Sequence, residues 1–115
     1  MKNSLEVTDA EAAAIAVAPR VSLASMEAKI KAEYFVTGSE AIGSMPAIAE
    51  LDVLTICFLV MDNGFVIIGK AAPASPANFN VELGRKFARE DAIRQLWPME
   101  GYALRARLLA QGTPT

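Results

Sequence analysis

The sequence predicts an α+β domain: an antiparallel β-hairpin or sheet packed against C-terminal helices, with one or two N-terminal helices ahead of it. Three observations carry this expectation. Two apolar runs, 52–61 and 65–71, are joined by Asp62-Asn63-Gly64, and Asn-Gly between such runs is the strongest short-range hairpin signal. After Ser75-Pro76, apolar residues recur at helical spacing to Trp97 and again over 99–110. Ahead of the hairpin lie two short stretches with helix caps.

Each element follows from local chemistry. Residues 1–7 are expected to fray. Thr8 followed by Glu11 has the form of a capping box and opens an alanine-rich helix that Pro19 ends. Ser22 caps a second helix over about 23–33, with Leu23, Met26 and Ile30 on one stripe and Glu27 and Lys31 as an i,i+4 pair. Tyr34-Phe35-Val36 begins a strand or an anchoring turn. Residues 37–50, rich in small residues, form the longest irregular segment.

The run 52–61 is apolar on both faces, so cover is expected on both, helices on one side and a partner subunit on the other. A two-residue type I′ turn at Asn63-Gly64 would set Val60 opposite Ile67 and Phe58 opposite Gly69. Pro73 and Pro76 stop the sheet. Asn78 and Asn80 are cap candidates for a helix that runs to Trp97, and Pro98 kinks it or starts another. The expected organisation is one α+β domain over 21–110, a partly ordered extension over 1–20 and a tail over 111–115.

With 115 residues there is core enough for one domain but little to spare, so a homo-oligomer is expected. The net charge of −2 disfavours nucleic acid as a partner. The charge is uneven: residues 1–52 hold four Lys/Arg against eight Asp/Glu, and residues 53–115 hold seven against five. No run has the length of a transmembrane helix and the start lacks a signal-peptide pattern, so no membrane is expected and the compartment is a reducing cytoplasm. The single cysteine, Cys57, is expected to be a buried, inert thiol. Histidine is absent, and there is no Gly-rich phosphate loop, no Cys/His metal spacing and no nucleophile beside a base. Neither an enzyme nor a metal or cofactor site is expected.

The runs 54–60, Asn63-Gly64-Phe65, Ser75-Pro76-Ala77-Asn78-Phe79-Asn80, Gly84-Arg85-Lys86 and Trp97-Pro98-Met99-Glu100-Gly101-Tyr102 resemble a family of small phage and prophage proteins. It is named after gene product forty-nine of one tailed phage and gene sixty-six of another, and the likeness covers about 23–109. Some members resemble the first-described Thoeris anti-defence protein, a sponge for the cyclic ADP-ribose-type signal of a bacterial immune enzyme. That resemblance implies an oligomer, action in the host cytoplasm and sequestration of a nucleotide-derived signal without turnover. The chain departs from the family's usual Glu-Ser-Ala-Cys at Lys70-Ala71-Ala72-Pro73.

A nucleotide signal needs cations or N–H donors for phosphate and a flat group for its base. The candidate ligand-binding residues are therefore Asn78, Phe79, Arg85 and Arg89, with Arg105 reaching in from the last helix or a second subunit. Each has a plainer reading. Phe79 can be a core residue or staple, the asparagines caps, and the arginines a solvated helix face beside Glu82 and Glu90. The alternative function is a protein-interaction module that inhibits or recruits a host protein through an apolar sheet face, with no small-molecule ligand.

Overall fold

A computed structural model describes residues 3–112. The chain groups into two compact units, one made of the residues up to Lys29 with those from Arg94 onward, the other of Ile30–Ile93.

The first unit holds α1 (Ser4–Ile15), α2 (Leu23–Glu27) and the C-terminal part of a long helix. The capping box of α1 is Asn3 with Glu6, not Thr8 with Glu11, so the helix starts four residues before the expected cap. Of the residues expected to fray, 1 and 2 lie outside the described range. Leu5, Leu23 and Met26 are buried. Asp9 is the tie between the two helices: its Oδ1 accepts from Arg20 and from the Leu23 backbone N–H, both at 2.9 Å. Lys29 pairs with Glu100 at 2.6 Å, and the Trp97 indole N–H donates to the Val21 carbonyl.

The second unit is a three-stranded antiparallel sheet in the order β1 (Ile30–Thr37), β2 (Thr55–Met61), β3 (Val66–Ala71), with the N-terminal half of a long helix packed on it. Between β1 and β2 lie α3 (Gly38–Ala41), capped reciprocally by Thr37 and Glu40, and a 3-10 turn over Ala49–Val53. The second helix is shorter than its stripe suggests. It ends at Glu27 and Ile30 already pairs with Met61, because the β-branched and aromatic run up to Thr37 is claimed by the edge of β2.

The hairpin is present, but its loop has three residues. The Gly64 N–H donates to the Met61 carbonyl at 2.9 Å and the Met61 N–H to Phe65 O at 2.8 Å. Gly64 sits at φ +90°, whereas no non-glycine residue among those described has positive φ. Asp62-Asn63 is thus a turn closed by a glycine bulge, not a type I′ pair. The register shifts by one: Val60 opposes Val66, Phe58 opposes Ile68, and Gly69 opposes Cys57. A one-residue shift exchanges the faces of a strand. Ile67 and Gly69 therefore point to the helix, and Val66 and Ile68 point away from it.

The long helix α4 runs over Val81–Ala110 without a break, in place of the two C-terminal helices expected. Pro98 lies inside it and leaves the Arg94 carbonyl without its helical donor. Arg94 is exposed, so water can serve that carbonyl. Trp97 and Glu100, on either side of the proline, are both anchored by the first unit's own bonds. No helix among the described residues is long and apolar enough to cross a membrane.

Gly69 decides how β3 and α4 meet. A Cβ there would stand 2.1 Å from the Ala88 carbonyl oxygen and 2.6 Å from the Ala92 nitrogen. The glycine admits the helix backbone; it does not make room for Phe58. Beneath the helix, Cys57, Leu59, Met61 and Ile67 are buried with Ala88, Ala92 and Ile93. Burial pushes the Cys57 thiol up to about 11, with the Glu33 carboxylate adding to the rise and Arg89 opposing it. The opposite face of the sheet, with Tyr34, Val66 and Ile68, stays exposed.

Candidate functional site

The site is built where β3 gives way to α4. Beyond Ala71 the chain passes Pro73 and turns through a 3-10 segment, Pro76–Asn78, which Pro76 starts with its fixed φ. The Phe79 N–H closes that turn on the Pro76 carbonyl at 3.1 Å. Asn80 then caps α4, its Oδ1 accepting from the Leu83 N–H at 3.0 Å. Two short-range devices in five residues thus fix the ring of Phe79 at the mouth of the helix.

A cavity of about 190 Å³ opens there. The end of β3 forms one wall with Ala71, Ala72 and Pro73; the start of α4 forms the other with Leu83, Gly84 and Phe87; Asn78, Phe79 and Asn80 close the end. No titratable side chain is among these residues. Phe79 is half-buried and also borders a second, smaller pocket of about 30 Å³ with Phe35, Thr37, Glu40, Thr55 and Arg85. Its ring is therefore a partition, apolar space on one side and charged groups on the other. Gly84 keeps the partition close to the sheet, since a Cβ there would stand 2.5 Å from the Thr55 hydroxyl.

Two cations flank the partition. The Arg85 guanidinium lies 5.7 Å from the centre of the Phe35 ring, and the Lys86 ammonium 5.8 Å from that of Phe87. Both are exposed and retain hydrogen-bond donors for an anion. The Thr37 backbone N–H and hydroxyl hold the Glu40 carboxyl below its ordinary value, with Arg85 helping, so Glu40 is the anion facing Arg85 in the smaller pocket.

Of the residues the sequence singles out, Asn78 and Phe79 line the cavity and Arg85 lines its neighbour. Asn80 is the cap and also a wall residue. Arg89 ion-pairs with Glu33 of β1 and so ties α4 to the sheet. Arg105 belongs to the other unit, twenty residues beyond Arg85 along α4, and is exposed. Leu83, Phe87 and the Ala71–Pro73 wall were not among the expected residues. The spacing Phe79, Leu83, Phe87 carries a signal, being one stripe at i, i+4 and i+8, but a core stripe has the same form. Of the departures from the Glu-Ser-Ala-Cys of the family that the sequence resembles, Ala71 and Pro73 lie in that wall.

One family profile matches residues 21–108, a stretch that takes in all three strands, the cavity and most of α4. The chain belongs to the phage protein (N4 Gp49/phage Sf6 gene 66) family. No curated protein and no solved structure matches this phage protein. Within the family match, the Phe79 partition and its two flanking cations lie wholly inside the Ile30–Ile93 unit.

Proposed function

We propose that this phage protein binds a nucleotide-derived immune signal at the Phe79 cavity and withholds it from the host's effector, in the host cytoplasm and without turnover. The observation that carries this reading is the Phe79 partition: an apolar slot on one side and the Arg85 guanidinium on the other. At about 190 Å³ the slot is smaller than the roughly 300–1,000 Å³ of pockets that enclose a whole drug-sized ligand. It suits one ring system, such as a nucleobase stacked on Phe79 or Phe87, with the phosphates left at the mouth within reach of Arg85 and Lys86. The side-chain amides of Asn78 and Asn80 supply donors and acceptors for the base edge. A wall without titratable groups suits sequestration, which needs affinity and no proton transfer.

The test is thermal stabilisation by a panel of cyclic di- and trinucleotides and cyclic ADP-ribose isomers. A ligand at hundredfold excess over its Kd raises the melting temperature by about 10 °C for a domain of this size. Arg85→Gln and Asn78→Ala, both at exposed positions, are expected to remove most of the shift without lowering the melting temperature of the free protein. A flat response across the panel from folded protein refutes the reading.

A further inference from the structure

We propose that the outer edge of β1 is a docking site for an extended peptide of a partner protein, which adds antiparallel as a fourth strand and sets an acidic side chain beside Arg85. The inference goes beyond the ligand reading, because the groups that define the edge are the backbone of Glu33 and Phe35, and neither residue lines the Phe79 cavity.

Register decides which edge is open. The Gly38 N–H donates to the Leu54 carbonyl at 2.9 Å. In the antiparallel ladder Val36, Tyr34 and Ala32 therefore turn their backbone groups to β2, opposite Ile56, Phe58 and Val60. Glu33 and Phe35, between them, turn their N–H and C=O groups outward. Among the described residues no strand lies beyond β1 and no backbone bond from another element reaches these groups. The other edge is different. Lys70 turns its N–H outward from β3, and the Asp91 carboxylate of α4 accepts it at 3.0 Å.

Side chains along the edge define the occupant. A residue opposite Phe35 falls on the helix side of the sheet, where the Arg85 guanidinium stands 5.7 Å from the centre of the Phe35 ring. A carboxylate at that position meets the cation. Glu40, the other acid near Arg85, is committed to the Thr37 N–H at 2.9 Å. A residue opposite Glu33 finds that acid paired with Arg89, so a neutral side chain fits and a second carboxylate would face a like charge. A residue opposite Tyr34 falls on the open face, beside a ring that is 61% exposed, where a β-branched side chain packs. Read from its N-terminus, the partner segment is an acid, a β-branched apolar residue and a neutral residue. A nucleic acid has no alternating N–H and C=O groups to complete the ladder, so the occupant is a peptide.

The length of the open stretch sets the strength. At one end the Thr37 N–H, next in the outward series, is the group that Glu40 already holds. At the other the ladder is bulged between Ile30 and Ala32. Both devices keep an edge from pairing over a long run. The bonds left are those of Glu33 and Phe35, with one ion pair at Arg85. A Kd on the order of 100 micromolar is therefore expected.

The probe is a capped, fluorescein-labelled peptide of the order threonine, valine, aspartate, valine, threonine, valine, threonine, titrated into the full chain and read by fluorescence anisotropy. Its aspartate, central valine and central threonine are set to lie opposite Phe35, Tyr34 and Glu33. Lysine in place of the aspartate should weaken binding about tenfold. Glu33→Pro removes an outward N–H, which an edge strand tolerates, and Glu33→Ala keeps it while losing the same ion pair. The proline variant should bind about tenfold more weakly than the alanine variant. Should the proline variant fail to fold, N-methylation of the probe replaces it: at the aspartate or the central threonine it should abolish binding, and at the central valine, whose N–H points away, it should not. At millimolar probe the amide exchange of Glu33 and Phe35 should slow about tenfold and that of Tyr34 should not change. No binding up to millimolar probe overturns the proposal, as do equal affinities for the proline and alanine variants or for the aspartate and lysine probes. Exchange at Glu33 and Phe35 that slows as the free chain is concentrated also overturns it, because a second copy then takes the edge. The nucleotide panel is read by Asn78→Ala and this edge by Glu33→Pro, so either reading can fail without the other.

Discussion

The two faces of the sheet are made of the same kind of residue and have opposite fates. On β2, Cys57, Leu59 and Met61 are shut under α4, while Ile56, Phe58 and Val60, their immediate neighbours in sequence, are only half-buried. Hydrophobicity does not distinguish the two sets. What distinguishes them is which face admits a helix backbone, and Gly69 admits one on one side only. The helix side is thus locked by shape, and the other side is apolar area that stays largely exposed. Four measurements bear on that contrast.

The largest effect should come from Gly69→Ala. The new Cβ meets backbone, the Ala88 carbonyl oxygen at 2.1 Å, so the strand or the helix has to move. A loss of about 3 kcal/mol or more is expected in urea unfolding. Leu59→Ala, at a fully buried site, should cost about 2–5 kcal/mol. If Gly69→Ala were tolerated, shape would not be what separates the faces.

The second effect is a pH dependence confined to the helix side. Burial raises the Cys57 thiol from its ordinary value of 9.0 to about 11, which disfavours the thiolate in the folded state. The stability this represents is fully present below pH 9 and is lost as pH rises from about 9 through about 11. The loss amounts to about 3 kcal/mol. Lysine and tyrosine also titrate in that window, so the measurement is the difference between the wild type and Cys57→Val. The variant should lack this part of the alkaline slope, and equal slopes would show that the thiol is not held in a dry environment.

This contrast also explains what could be read from the residues alone. The α+β class, the hairpin and the helical run after Pro76 were legible because they rest on local turn and periodicity signals. The register was not. Asn63-Gly64 serves a two-residue loop and a three-residue loop equally well, and the choice falls to Gly69 meeting Ala88 and Ala92, about twenty residues away. The strand at Ile30 was hidden because Leu23, Met26 and Ile30 keep helical spacing into it. Pro98 suggested two helices, since sequence does not reveal that Trp97 and Glu100 are tied down on both sides of it. In the candidate site, Asn78, Phe79 and Arg85 sit within one local turn and its helix and were accessible to sequence reasoning. The Ala71–Pro73 wall was not, because small apolar residues after a strand carry no chemical signal of their own.

The third effect tests α4 itself. Glu90 is buried at 5% exposure, and its Oε2 has no hydrogen-bond partner. A buried carboxylate oxygen without a donor costs about 1–3 kcal/mol. Glu90→Met has similar length and no such atom, and should raise stability by about 1 kcal/mol, read as a higher urea midpoint at unchanged slope. A loss instead would mean that the carboxylate is satisfied in solution, by water or by an unseen cation, and that this part of the helix is wetter than its burial indicates.

The smallest effect is the sharpest test of the contrast. Val66 and Ile67 are adjacent in β3, one 49% exposed and the other 3%. Val66→Thr keeps the shape and the β-branch and adds one hydroxyl on the exposed face. In dilute solution it should change stability by no more than about 0.5 kcal/mol, whereas Ile67→Thr, which places the same hydroxyl under α4, should cost about 2 kcal/mol. Concentration then becomes the discriminating variable. If a second copy covers the face, the wild-type melting temperature rises with protein concentration by mass action, and Val66→Thr flattens that rise because the hydroxyl would have to be desolvated at the interface. Ile67→Thr lowers the whole curve and leaves its slope alone. Flat curves for all three proteins would mean that the exposed face stays wet at every concentration tested, and that its apolar character serves only the strand's own β-propensity.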